Sequence, residues 1–166
     1  AGGQFVNRYA AGNQVDKKGN ILIKYVIANP SSYLYFTKDR WFGGNLRIPD
    51  FISKKICPTY NNYKYGLDNK NSYMGKSSDF ELKSQYASRN VVYLLGKEDD
   101  NLDSDLDKDC EAMLQGFNRE ERGNNYFRYL NEKLPSNNHK KIMVPGVGHS
   151  ASGMYGSAEG VQVLFG

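Results

Sequence analysis

Three apolar runs constrain this 166-residue chain more than any other feature: ILIKYVIAN at 21–29, VVYLL at 91–95 and IMV at 142–144. None alternates polar with apolar residues, so each reads as a strand covered on both faces, the habit of parallel sheets. Strands of that kind need helices above and below them, and helical patterns stand between the runs. Residues 1–13, AGGQFVNRYAAGN, form the first. Phe5 and Tyr9, with Val6 and Ala10, recur at i, i+4 and predict one buried face, and Gly12-Asn13 is a stop signal. Gly2 and Gly3 suit a backbone that packs closely against a neighbour.

Residues 30–88 break the pattern. Pro30-Ser31-Ser32, Gly43-Gly44-Asn45, Pro49-Asp50 and Asn61-Asn62 punctuate a stretch filled with aromatics, and no helical or strand period persists. So long an excursion reads either as a lid over a binding site or as an irregular cover on one sheet edge. Phe80 to Tyr86 predicts a short closing helix. After VVYLL and Gly96 comes an acidic loop, 97–107. Its Asp103-x-Asp105-x-Asp107 spacing imitates a calcium loop, but Lys108 stands where that loop needs glycine and Leu114 where it needs glutamate. A short helix is predicted from Cys110 to Leu114. Asn118 with Glu121 three residues on predicts the start of a longer one, with Phe127, Leu130 and Leu134 inward. A last helix begins at Ser157-Ala158-Glu159 and carries Val161, Leu164 and Phe165.

Composition excludes several classes. The net charge of +4 is spread over isolated pairs, Lys17-Lys18, Lys54-Lys55 and Lys140-Lys141, which is no nucleic-acid footprint. No apolar run approaches the ~20 residues that a membrane span requires. Thirteen tyrosines fit either a binding surface or a core rich in polar-tipped rings. The two cysteines, Cys57 and Cys110, match neither a zinc site nor a redox pair; they are a long-range disulfide or two buried thiols.

Function in parallel α/β sheets gathers at the carboxyl ends of strands. Asp99 follows the second run and His149 follows the third, in the glycine-flanked loop Pro145-Gly146-Val147-Gly148-His149. An acid and then a histidine, past successive strands, is the tail of a Ser-Asp-His triad. The histidine would take the nucleophile's proton, and the acid would fix its tautomer.

On these residues the chain resembles the α/β-hydrolase family. The resemblance is carried by AGGQFVNRYAAG (1–12), YLLGKEDD (93–100) and VPGVGHSASGM (144–154). CPTYNNYKYGL (57–67) and CEAMLQGFNREERG (110–123) are also similar to microbial members. It implies the C-terminal half of such an enzyme, one partial domain over 1–166 that opens just after the serine of a Gly-x-Ser-x-Gly elbow. The implied fold is a mostly parallel sheet flanked by helices, with 30–88 as a lid-like excursion. His149 matches the general base and Asp99 the acid, with Asp100 its rival. The Ala1 N–H would be one oxyanion donor. By its own position after a strand end, the turn Ser31-Ser32-Tyr33 is either a substrate contact or only a turn. The implied activity is ester hydrolysis, on a small or polymeric substrate, with no cofactor or metal and an extracellular or periplasmic setting. Two alternatives stand beside it. Gly148-His149-Ser150-Ala151-Ser152 nearly spells an elbow with Ser150 as nucleophile, although no His or Asp follows it. The other is a non-catalytic module, either carbohydrate-binding or a degenerate hydrolase. His139, in a polar turn, is expected to be solvated.

Overall fold

The computed structural model describes residues 1–15 and 19–166, apart from the side chains of 52–54. The Lys17-Lys18 pair and the Lys54 side chain lie outside that description. Three parallel strands, β1 (Lys24–Ala28), β4 (Asn90–Gly96) and β5 (Lys140–Val144), form a sheet in the order β1-β4-β5. Successive residues of β4 point to opposite faces, as a strand requires. Val91, Tyr93 and Leu95 enter one apolar cluster, with Ala10, Leu82, Tyr126 and Leu130 from α1 (Gly2–Gly12), α3 (Asp79–Ser88) and α5 (Arg119–Lys133). Val92 and Leu94 enter the other, with Met154 of α6 (Ala151–Gly156) and Val163 of α7 (Ala158–Phe165). The three-layer α/β/α arrangement follows from β4 being apolar throughout.

Local chemistry explains most element boundaries. Ser78 starts α3 with a capping box, its hydroxyl accepting from the Glu81 N–H while Glu81 accepts from the Ser78 N–H. Asn118 starts α5 by accepting from the Glu121 N–H at 2.8 Å. The hairpin of β2 (Arg40–Phe42) and β3 (Asn45–Arg47) turns on Gly43 and Gly44, with φ of 57° and 78°. A two-residue hairpin loop with both φ positive is glycine's natural place. The short helices α2 (Asp50–Lys55) and α4 (Cys110–Met113) and a 3-10 turn at Met74–Lys76 are the remaining described elements. Among the described residues, no helix is long and apolar enough to cross a membrane.

Several expectations are corrected. The first strand is shorter than its apolar run: β4 begins at Asn90, opposite Lys24, so the ladder starts there and residues 21–23 lie before it; Ile21 and Leu22 are exposed. Phe5 and Tyr9 share a face and stack at 5.6 Å, but Phe5 is exposed. Ala10 is buried, and Val6 and Tyr9 pack against the larger cluster as expected, but Asn7, Arg8 and Ala11 are buried too, and the polar ones find buried partners: Asn7 accepts from the Leu34 N–H at 2.8 Å, and Arg8 donates to the Ser32 carbonyl at 2.7 Å. Close packing holds at Gly3, where a Cβ would lie 2.4 Å from the Ala28 carbonyl oxygen, and not at Gly2. In the final helix Val163 is buried while Val161, Leu164 and Phe165 are exposed, and a further helix not expected from the sequence, α6, precedes it with Ser150 as its N-cap.

The excursion sends Tyr33, Leu34, Tyr35, Phe36, Leu67 and Met74 into the larger cluster. Arg40, also buried, gathers it by donating to the carbonyls of Thr37, Asp39, Tyr60 and Tyr65, with its guanidinium 4.2 Å from the centre of the Tyr35 ring. Most of the tyrosines are core residues. Cys57 and Cys110 are joined in a disulfide that ties the excursion to the start of α4.

Candidate active site

His149 stands in the loop between β5 and α6, and its Nδ1 lies 3.0 Å from Asp99 Oδ2. A carboxylate only accepts, so Nδ1–H donates, and in the neutral imidazole this tautomer leaves the lone pair on Nε2. The two residues meet because their loops run side by side beyond β4 and β5. Lys97 and Glu98 donate their backbone N–H groups to the carbonyls of Val144 and Val147 at 2.9 and 3.1 Å. A Cβ on Gly96 would lie 2.3 Å from the Val147 carbonyl oxygen, so only glycine lets the loops approach this closely.

Asp99 is fully buried and has a second charged partner. Arg119, also buried, places Nη1 3.4 Å from Asp99 Oδ1 and takes Asp103 in two bonds of 2.8 Å. Its Nε donates to Ser31 Oγ at 3.2 Å. Those bonds hold the Asp103 carboxyl well below the usual carboxylate range. The Glu120 N–H donates to the Asp99 carbonyl, so the start of α5 grips both ends of this residue. The Arg119 guanidinium supplies the buried carboxylate's counter-charge, and the imidazole Nδ1–H supplies a hydrogen bond. Asp100 is exposed and has no part in this network.

His149 is the accessible member, its side chain 37% exposed. It borders a cavity of about 360 Å³ whose wall includes Ala1, Gly2, Gly3, Ala28 and Asn29. The N-terminus of α1 and the imidazole thus face one space, lined near the helix by residues too small to fill it. Ser31, Ser32 and Tyr33 do not line it. They are buried: Ser31 accepts from Arg119 and Arg122, Ser32 accepts from Arg8, and Tyr33 exchanges two backbone bonds of 2.8 Å with the Gln115 side chain. Of the three, Ser31 alone reaches the acid's surroundings, through Arg119, and none borders this cavity, where a substrate contact was expected. Ser150 borders the cavity, but its Oγ caps α6 by accepting from the Gly153 N–H at 3.1 Å.

Two neighbours of the pair were not read from the sequence. Arg119 opens α5 beside the helix's positive end, where cations are disfavoured, and that local conflict was its signal. Asn29 directly follows β1 at a φ of 42°, a conformation that asparagine tolerates better than most residues. His139 is corrected outright. It is buried, with Nε2 2.8 Å from the Tyr86 carbonyl and Nδ1 2.9 Å from the Tyr93 hydroxyl. The carboxylates of the calcium-like loop also serve protein partners, Asp103 with Arg119 and Asp107 with Lys64 and the Tyr65 hydroxyl.

No protein-family model and no curated protein matches the chain. Solved structures similar to it include the following two. One is poly(aspartic acid) hydrolase-1 from Sphingomonas sp. KT-1, at 23% identity and a TM-score of 0.64, covering 93% of this chain and 48% of that one. The other is LpqC, a poly(3-hydroxybutyrate) depolymerase from Bordetella parapertussis, at 21% identity and a TM-score of 0.62, covering 98% and 46%. The chain therefore has the fold of about half of each of these two enzymes.

Proposed function

We propose that this chain is the C-terminal half of a serine hydrolase of the α/β-hydrolase type, with His149 as general base and Asp99 as its orienting acid. The observation that carries the reading is the 3.0 Å Nδ1–Oδ2 contact, formed on a carboxylate buried away from water while the imidazole stays accessible. In this reading a serine precedes Ala1 in the parent polypeptide and gives its proton to His149 Nε2 as it attacks an ester carbonyl. Asp99 stabilises the resulting imidazolium, and the Ala1 N–H, at the mouth of α1, receives the developing oxyanion. Proton return to the leaving alcohol gives an acyl-enzyme, which water resolves by the same path. The small residues around the cavity leave room for the acyl carbon beside His149. Likeness to two enzymes named for polymeric substrates favours a polymeric ester or amide. The Cys57–Cys110 disulfide favours an oxidising, extracellular or periplasmic setting.

The test uses the parent polypeptide and a fluorophosphonate probe. Labelling of the wild type should fall by at least a hundredfold with His149→Ala and by a smaller factor with Asp99→Asn. A folded parent that takes no label would sink the proposal and leave a binding module as the better account, and one labelled equally well without His149 would remove His149 as the base.

A further inference from the structure

One buried amide connects the carboxyl ends of all three strands. Asn29, directly after β1, donates its backbone N–H to the Leu94 carbonyl of β4 at 3.3 Å. Its Oδ1 accepts from the Gly96 N–H at 2.9 Å, and its Nδ2 donates to the Gly148 carbonyl at 3.1 Å. The first two bonds hold the end of β4, three residues before Asp99. The third holds the residue immediately before His149. Asn29 is only 7% exposed, yet it borders the same cavity as His149 and Ala1.

We propose that Asn29 is a positioning residue. It fixes the His149 loop against Asp99 and against the mouth of α1, and so sets the geometry of proton transfer. The inference rests on the reading of His149 as general base. Few side chains could replace it. Aspartate would still accept from the Gly96 N–H but would turn a carboxylate oxygen toward the Gly148 carbonyl oxygen. Alanine makes neither bond and is strained at a φ of 42°. Glycine suits that backbone and removes only the side chain, so Asn29→Gly separates the amide's contribution from backbone strain. Displacement of a catalytic group by about 1 Å costs on the order of a hundredfold in rate, and Gly148 is adjacent to the base.

Two measurements test this. In the present chain, amide exchange at Gly96 should quicken at least tenfold in Asn29→Gly and stay slow in Asn29→Asp, which keeps the acceptor. The His149 Nδ1–H resonance should broaden or vanish in both variants, because both lose the bond to Gly148. A His149 resonance unchanged in both variants would reduce Asn29 to a strut between strands and overturn the proposal. In the parent, both variants should lower kcat about a hundredfold with little change in KM. Labelling of the parent unaffected by Asn29→Asp overturns this inference alone, whereas a wild-type parent that takes no label removes the general-base reading beneath it.

Discussion

Acid should weaken this fold through His139, by an amount that the structure specifies. Its Nε2–H must donate to the Tyr86 carbonyl, so Nδ1 accepts the Tyr93 hydroxyl, whose oxygen lies 2.6 Å from the Tyr86 hydroxyl. Asn7 Nδ2 donates to that same Tyr86 hydroxyl at 2.8 Å. A second proton on the ring would point at Tyr93 and oppose this order. Burial, partly offset by the bond to the Tyr86 carbonyl, depresses the His139 pKa from 6.5 to about 4. Because the folded pKa lies below the unfolded one, the contribution is complete above pH 6.5 and is lost as pH falls toward 4. Proton linkage gives a loss of about 2 kcal/mol between pH 7 and pH 5, and about 3 kcal/mol by pH 4. Urea unfolding, followed by the fluorescence of the single tryptophan, Trp41, checks this at pH 7 and pH 5 in wild type and in His139→Gln. The variant starts from its own stability, but its loss over that range should be smaller by about 2 kcal/mol. Equal losses in the two proteins would refute the reasoning, as would a His139 titration by NMR with its midpoint at the ordinary histidine value.

Arg119→Met should cost about 3 kcal/mol, because it leaves the Asp99 carboxylate buried without its cation. The same substitution in an Asp99→Asn background should cost at least ~1 kcal/mol less, and additive effects in that double-mutant cycle would contradict the proposed charge pairing. Reducing the Cys57–Cys110 disulfide, which spans 53 residues, should lower the unfolding free energy by up to about 4 kcal/mol on loop entropy. Urea midpoints with and without reductant measure it, and coincident curves would mean that the crosslink does not restrain the unfolded chain.

The α/β architecture was legible because its signals are local and repeated. A strand covered on both faces must be apolar at every position, and VVYLL announces that alone. Capping at Ser78 and Asn118 and the glycine pair of the hairpin belong to the same class. Strand length was less legible, since ILI at 21–23 is as apolar as the strand after it, yet the ladder starts only at Lys24, opposite Asn90. The helical face of α1 misled for a related reason. Its period is genuine, but what lies beside the helix is a polar layer of Ser32, Leu34 backbone and Tyr86 hydroxyl, which selects Asn7 and Arg8 over Phe5.

By itself, the sequence determined the sheet type, the order of its three strands along the chain, and the presence of Asp99 and His149 just past two of them. Those follow from periodicity and from chain order, which no folding event changes. Only the tertiary structure decided that Asp99 rather than Asp100 meets the imidazole, that Arg119 and Asn29 surround the pair, and that His139 is buried among tyrosines. Each of these depends on contacts between residues ten or more positions apart, and on which polar groups lose their water when the layers close.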